Sequence, residues 1–191
     1  MKAATVLLKS LPGSELFFGK PKTSKKLANE THDQFDQRTW KESVSHHEGK
    51  LFIQPFALKN GLESSAKWLS IPIPGEGKKT FTKRFVSGIL VVDKLWLTDD
   101  TGKALTMEDV EPLSLFVPSD GVRGSGKRVF RIFPSVKSWM AYAEIHVIDQ
   151  KIDKKILEEH LTCCGNFVGF GSMRAQNGGI NGRFSIEELQ F

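Results

Sequence analysis

Apolar residues along this chain recur at two spacings, and the switches between them outline its elements. Ala3–Leu11 centres on Val6, Leu7 and Leu8 and predicts a first strand, closed by Leu11-Pro12-Gly13. Leu51-Phe52-Ile53 is a brief apolar strand before Pro55. Then the period lengthens: Leu58, Leu62, Ala66 and Leu69 predict a helix over Phe56–Leu69, stopped by Pro72 and Pro74. Phe85–Leu97, FVSGILVVDKLWL, is dense in β-branched and apolar residues and predicts a strand. Val129–Phe133 alternates around Arg131, and Trp139–Ile148 alternates regularly enough to predict a core strand. Ile152, Ile156, Leu157, His160, Leu161 and Cys164 share one side of a helix within Asp149–Cys164, with Asp153 as its N-cap. Phe184–Phe191 predicts a closing strand.

Two long polar excursions, 14–50 and 98–128, interrupt this series and are too long to be simple connections in a compact domain. Without them the order is strand, helix, strand, strand, helix, strand. That order predicts an α+β, ferredoxin-like (RRM-like) β-α-β-β-α-β core, a single domain over 1–191 with two insertions. There are no internal repeats or low-complexity tails.

Composition narrows the function classes. The 191 residues suffice to bury a core, and 39% are hydrophobic. Twenty-seven basic against 22 acidic residues give +5, which permits a nucleic-acid partner without demanding one. The two cysteines, Cys163 and Cys164, are adjacent and form no C-x-x-C pair, which argues against a zinc site or a disulfide framework. No apolar run approaches the roughly 20 residues of a membrane span. Lys9 interrupts the N-terminal apolar piece, so no signal peptide is read there. A reducing cytoplasm is the expected setting.

Of the candidate chemistry, two phosphate-binding motifs fail. Gly121–Arg128, GVRGSGKR, offers Arg128 where a P-loop needs Ser or Thr, and a strand pattern follows it instead of a helix; PGEGKKT at Pro74–Thr80 lacks the first glycine. His32, Asp33, Asp36, His46 and His47 have the right residue types for acid–base or metal chemistry but no metal spacing; His32, Asp33 and Asp36 are the catalytic candidates. No cofactor or metal is called for. His146 and His160 read as structural. The basic residues carry more weight. Lys78, Lys79, Lys83 and Arg84, then Arg123, Lys127, Arg128 and Arg131, lie on loops beside Phe81, Phe85 and Phe130. Single-strand binders combine basic grooves with stacking rings in this way. Gly165–Arg183 carries Gly169, Gly171, Gly178 and Gly179 with Arg174 and Arg183, between the last helix and the last strand. Such a loop suits either close approach to a phosphate chain or a turn that only joins its neighbours.

With those residues in place the chain resembles the RAMP superfamily, the ferredoxin-like RNA-binding proteins of CRISPR effector complexes, and within it the backbone subunit that polymerises along a guide RNA. Glu48–Leu69, EGKLFIQPFALKNGLESSAKWL, is similar to that branch's passage from a short strand through a proline-containing turn with a lysine, here Lys59, into the first helix. Where the family has a Pro-Gly-Ser-Ser type of turn, this chain has Gln54-Pro55-Phe56-Ala57-Leu58-Lys59. The glycine-rich loop stands at the position of the superfamily's hallmark, and the two excursions fall where that branch carries finger and thumb. The resemblance implies binding of single-stranded RNA or DNA, with head-to-tail self-association through a thumb in Thr98–Lys127 anchored by Leu113, Leu115, Phe116 and Val117. It also implies a bacterial cytoplasm, with a solitary phage- or prophage-encoded relative as the expected origin. Two alternatives stay open: a mimic or inhibitor of a CRISPR effector complex, and an endoribonuclease using His32, Asp33 and Asp36.

Overall fold

The computed structural model describes every residue except Asp120, Arg123 and Ser125. In chain order the elements are β1 (Lys2–Ser10), β2 (Leu16–Phe17), α1 (His32–Thr39), β3 (His46–His47), β4 (Lys50–Ile53), α2 (Pro55–Leu69), α3 (Thr82–Ser87), β5 (Ile89–Leu90), β6 (Leu95–Thr98), β7 (Glu111–Pro118), β8 (Arg128–Val136), β9 (Met140–Val147), α4 (Lys154–Cys163) and β10 (Phe184–Gln190). The main sheet runs β10-β1-β9-β6-β4-β3, with β5 also on β9, and every pairing is antiparallel. Counting only β1, the split β5/β6, β9 and β10 as core strands, the first lies between the fourth and the third. This is an α+β, ferredoxin-like core.

Alternation explains the sheet. Ala4, Val6 and Leu8 of β1 and Ala141, Ala143, Ile145 and Val147 of β9 are buried on one side. They meet Leu58, Leu62 and Ala66 of α2 and Leu157 and Leu161 of α4 in one apolar cluster. Each such leucine contributes roughly 1.5–3 kcal/mol when buried. The opposite face of the sheet carries Thr5, Tyr142 and Glu144, all exposed, and Leu7 and His146, both half-buried. Asp153 caps α4 as expected, its carboxylate accepting from the Ile156 N–H at 2.8 Å.

One expectation needs correction. Phe85–Leu97 is not one strand: its start lies in α3, and the rest is split into β5 and β6. Tertiary packing overrides β-propensity here. Phe85 is buried flat against His160 of α4, with ring centroids 3.9 Å apart, and Lys59 donates to the carbonyls of Phe85 and Val86 at the end of α3. Val129–Phe133 lies in a strand, as its alternation predicts: β8 pairs with β7 and β2 in a second, three-stranded sheet.

The excursions are folded. Thr31 and Gln34 form a capping box that starts α1. Asp36, 4% exposed, accepts from Lys22 Nζ at 2.6 Å and from the Ile132 N–H at 3.3 Å, fastening α1 to β8. Glu42 accepts from the Thr23 and Ser24 N–H groups, both at 2.9 Å. The segment between β2 and α1 is therefore held in place beside the hairpin.

Candidate nucleic-acid interface

The glycine-rich loop leaves α4 through a wide π-type turn at Cys164–Val168 and folds back onto the protein itself. Phe170 N–H donates to Gly182 O at 2.9 Å, Ser172 N–H to Phe17 O at 2.8 Å, and Gly182 N–H to Glu15 O at 2.8 Å. Gly171 and Gly182 sit at φ +75° and +70°, and a Cβ there would collide with the carbonyls of Phe17 and Phe170. These glycines therefore admit the chain's own backbone. Phe170 stacks on Phe184 at 4.6 Å beneath the loop. The result is a rigid wall, with β2 and Phe18-Gly19-Lys20 running along it.

Between that wall and the start of α2 lies an open groove of about 390 Å³. Lys20, Gln54, Phe56, Asn60, Ser172 and Arg174 line it, with Phe52 at one side. Pro55 occupies the first position of α2, and no side chain caps its N-terminus. Arg174 is the unusual member: its Nε is buried and has no hydrogen-bond partner. A guanidinium beside the first turns of a helix also opposes the helix dipole. Nearby, burial pushes the Cys164 thiol up to about 12, with Ser65 and the positive charge of Arg174 pulling the other way. An anion in the groove would meet the positive charge of Arg174 and the uncapped helix end together.

A second open groove, about 570 Å³, shares Phe18, Gly19, Lys20 and Ser172 with the first and continues towards the β7–β8 hairpin. Lys22, Phe35, Asp36 and Arg131 line this part. On the outer face of the hairpin Phe116 and Phe130 form a cross-strand pair with centroids 5.0 Å apart, and Arg128 sits over Phe116 at 5.8 Å. Both rings are more than half exposed, at 52% and 53%. Leu113 and Phe116 of the sequence's apolar group are thus open to solvent, while Leu115 and Val117 are half-buried. Lys127 is exposed, and Arg123 lies outside the described residues.

The remaining candidates are placed elsewhere. Lys59 is bound to Glu63 and to the carbonyls at the end of α3. Arg84 bridges Glu76 and Asp149 at 2.8 and 2.6 Å. Glu76 is held down to about 2 by its bonds from Lys151 and Arg84. Lys78, Lys79 and Lys83 surround those ion pairs in a separate basin of about 550 Å³. Arg183 is half-buried with an unpartnered Nε and lines neither groove. Gly169 closes the π-type turn, Gly178 caps a short 3-10 turn at Ala175–Asn177, and Gly179 abuts the Met173 carbonyl. His32 and Asp33 are exposed at the start of α1, whereas Asp36 on the same helix is buried and its carboxylate is engaged by Lys22. Among the described residues no three His, Cys, Asp or Glu side chains are placed to hold a metal ion. No helix among them is long and apolar enough to cross a membrane.

Sequence reasoning found Arg174 but left Lys20 and Phe52 out of the site. The signal was present: Leu16-Phe17-Phe18 is an apolar run broken at once by Gly19-Lys20-Pro21, a strand end delivering a cation.

No family model matches the chain, and no curated protein matches it. Among solved structures, it is similar to a chain in a cryo-EM structure of the type III-B Cmr-β complex bound to cognate target RNA, with 9% identity and a TM-score of 0.46. The match covers 97% of this chain and 60% of the other. A likeness of this degree says nothing about what the present chain binds.

Proposed function

We propose that this chain binds single-stranded nucleic acid, RNA or DNA, without cleaving it, as a distant relative of the RAMP proteins. The strand would lie along the two joined grooves from the N-terminus of α2 to the β7–β8 hairpin. The observation that carries the reading is Arg174: a buried, unpartnered guanidinium nitrogen at the wall of an open groove beside an uncapped helix N-terminus. Lys20 and Arg131 add charge along the same path. Phe116, Phe130 and Arg128 supply a stacking surface at its far end.

Because that surface projects on a hairpin, it also suits contact with the next copy on the same strand. A contact between unlike faces builds an open row rather than a closed dimer. Binding of labelled single-stranded RNA, single-stranded DNA and duplex, followed by electrophoretic shift, tests the proposal. Both single strands should bind, duplex should bind more weakly, and Arg174→Ala should lose about ten-fold in affinity, as for one charged hydrogen bond. Equal binding of duplex, or no effect of Arg174→Ala in a folded protein, would overturn it. Magnesium-dependent cleavage lost in Asp33→Ala, or in Asp36→Ala with folding verified, would move the assignment to a nuclease.

A further inference from the structure

The face of the main sheet opposite the core carries a row of apolar side chains, three of them aromatic, of which only Phe52 also lines the groove. Leu7 of β1 pairs directly with Tyr142 of β9. One step beyond the Leu97–Ala141 pair, the same register sets Trp96 of β6 beside Tyr142, and Trp96 in turn pairs with Phe52 of β4. The row Leu7–Tyr142–Trp96–Phe52 thus crosses four strands on one face. Tyr142 is 59% exposed and Trp96 40%, whereas Phe52 packs its ring against Trp96 at 5.5 Å. Cross-strand aromatic contact stabilises a sheet only modestly, and here it leaves much of Tyr142 and Trp96 open to water.

Charge and position indicate what covers this face. The Lys94 ammonium stands over both rings, 4.9 Å from Phe52 and 5.5 Å from Trp96, so the aromatic row has a cation at its edge. His47 lies 6.4 Å from Trp96 on the same side. The acidic neighbour Glu144, one row along, faces His146 at 3.4 Å. Phe52 links the row to the groove, since it lines that groove and touches Trp96. A surface of flat rings with a flanking cation, continuous with a phosphate-binding groove, matches successive bases on a single strand.

We infer that the open sheet face is a base-stacking extension of the groove: a single strand leaving the groove passes Phe52, stacks bases on Trp96 and Tyr142, and sets a phosphate near Lys94. The inference rests on the groove reading and lengthens the site it describes. Fluorescence anisotropy with two labelled oligouridines, one of about six nucleotides and one of about twenty, separates the two, because a single binding domain covers about 4–16 nucleotides. Tyr142→Ala and Trp96→Ala should each weaken the long oligomer by about ten-fold and leave the short one unchanged, while Tyr142→Phe binds both like the parent. Arg174→Ala should weaken both. If the parent binds and Arg174→Ala fails on both, but Tyr142→Ala and Trp96→Ala bind the long oligomer like the parent, the sheet face is not part of the site and the groove stands alone. A parent that binds neither oligomer ends both proposals. Sedimentation without nucleic acid completes the test: if Tyr142→Ala converts a self-associating parent to monomer, the face belongs to a second copy, and the stacking inference fails.

Discussion

Substituting Gly182 and Gly13 by alanine isolates what the glycine-rich loop does for the fold. Both glycines take left-handed backbone angles, φ +70° and +73°. At Gly13 a Cβ meets nothing within 4 Å, so the substitution carries only the left-handed penalty, about 1–2 kcal/mol. At Gly182 the same penalty applies, and the new Cβ also collides with the Phe170 backbone, including the carbonyl. Relief requires moving the main chain away from β10 and weakening the Phe170 N–H to Gly182 O bond, which adds about 1–3 kcal/mol as overpacking does elsewhere. Gly182→Ala should therefore lose about 2–5 kcal/mol, a large part of the 5–15 kcal/mol typical of a domain. Urea unfolding reads this through Trp139, which is fully buried and lies 6.0 Å from Phe170 and 6.3 Å from Phe184. If the two variants differ by less than about 0.5 kcal/mol, where unrelated surface changes fall, the loop does not pack as tightly as described.

Other outcomes follow from the same geometry. Burial holds the His160 imidazole below its ordinary pKa, although the Ile156 carbonyl, 2.6 Å from Nδ1, pulls it up. The folded chain therefore keeps it neutral where the unfolded chain takes up a proton, so stability should fall as pH drops below about 6.5. In thermal melts His160→Gln should flatten that part of the curve; an unchanged pH profile would refute the assignment. Cys163 and Cys164 are free, buried and held in the thiol form, so a thiol reagent should label neither until denaturant is added. Rapid labelling of the native protein would contradict their placement. Asp36→Ala leaves the largely buried Lys22 ammonium without its partner and should cost about 3–5 kcal/mol, read in the same urea titration. A loss below about 1 kcal/mol would mean that α1 is not fastened through this pair. Phe116→Ser with Phe130→Ser should keep the fold, since both rings are exposed, yet reduce the number of copies that sediment with a long single strand. An unchanged particle would exclude the hairpin from contacts between copies.

Legibility in the sequence followed burial. β1, β9, α2, α4 and β10 were visible because each has one face in the core, and their alternation records it. The α3 segment reads as strand because Phe85 and Val86 favour strands locally, while its helix depends on Lys59 and His160, which are remote in the chain. β7 was hidden by Pro112 and Pro118, which are tolerated in an edge strand but mask its pattern. α1 had a readable start in Thr31-x-x-Gln34, but few of its residues are apolar and it docks through the Asp36 carboxylate. The site was half legible. Arg174 stood out among glycines, whereas the groove opposite it arises from β2 folding back on the loop, a pairing between residues more than 150 positions apart.

The central claim is that Arg174 and Lys20 neutralise phosphates of a single strand in the groove beside α2. Its most direct test is the salt dependence of single-stranded RNA binding by the parent, Arg174→Ala and Lys20→Ala, with folding verified for each. If each cation meets one phosphate, either substitution should weaken binding about equally across sequences and reduce the slope of log K against log salt by about one unit. Parental affinity and slope in both variants would contradict the claim and leave the groove without a nucleic-acid role.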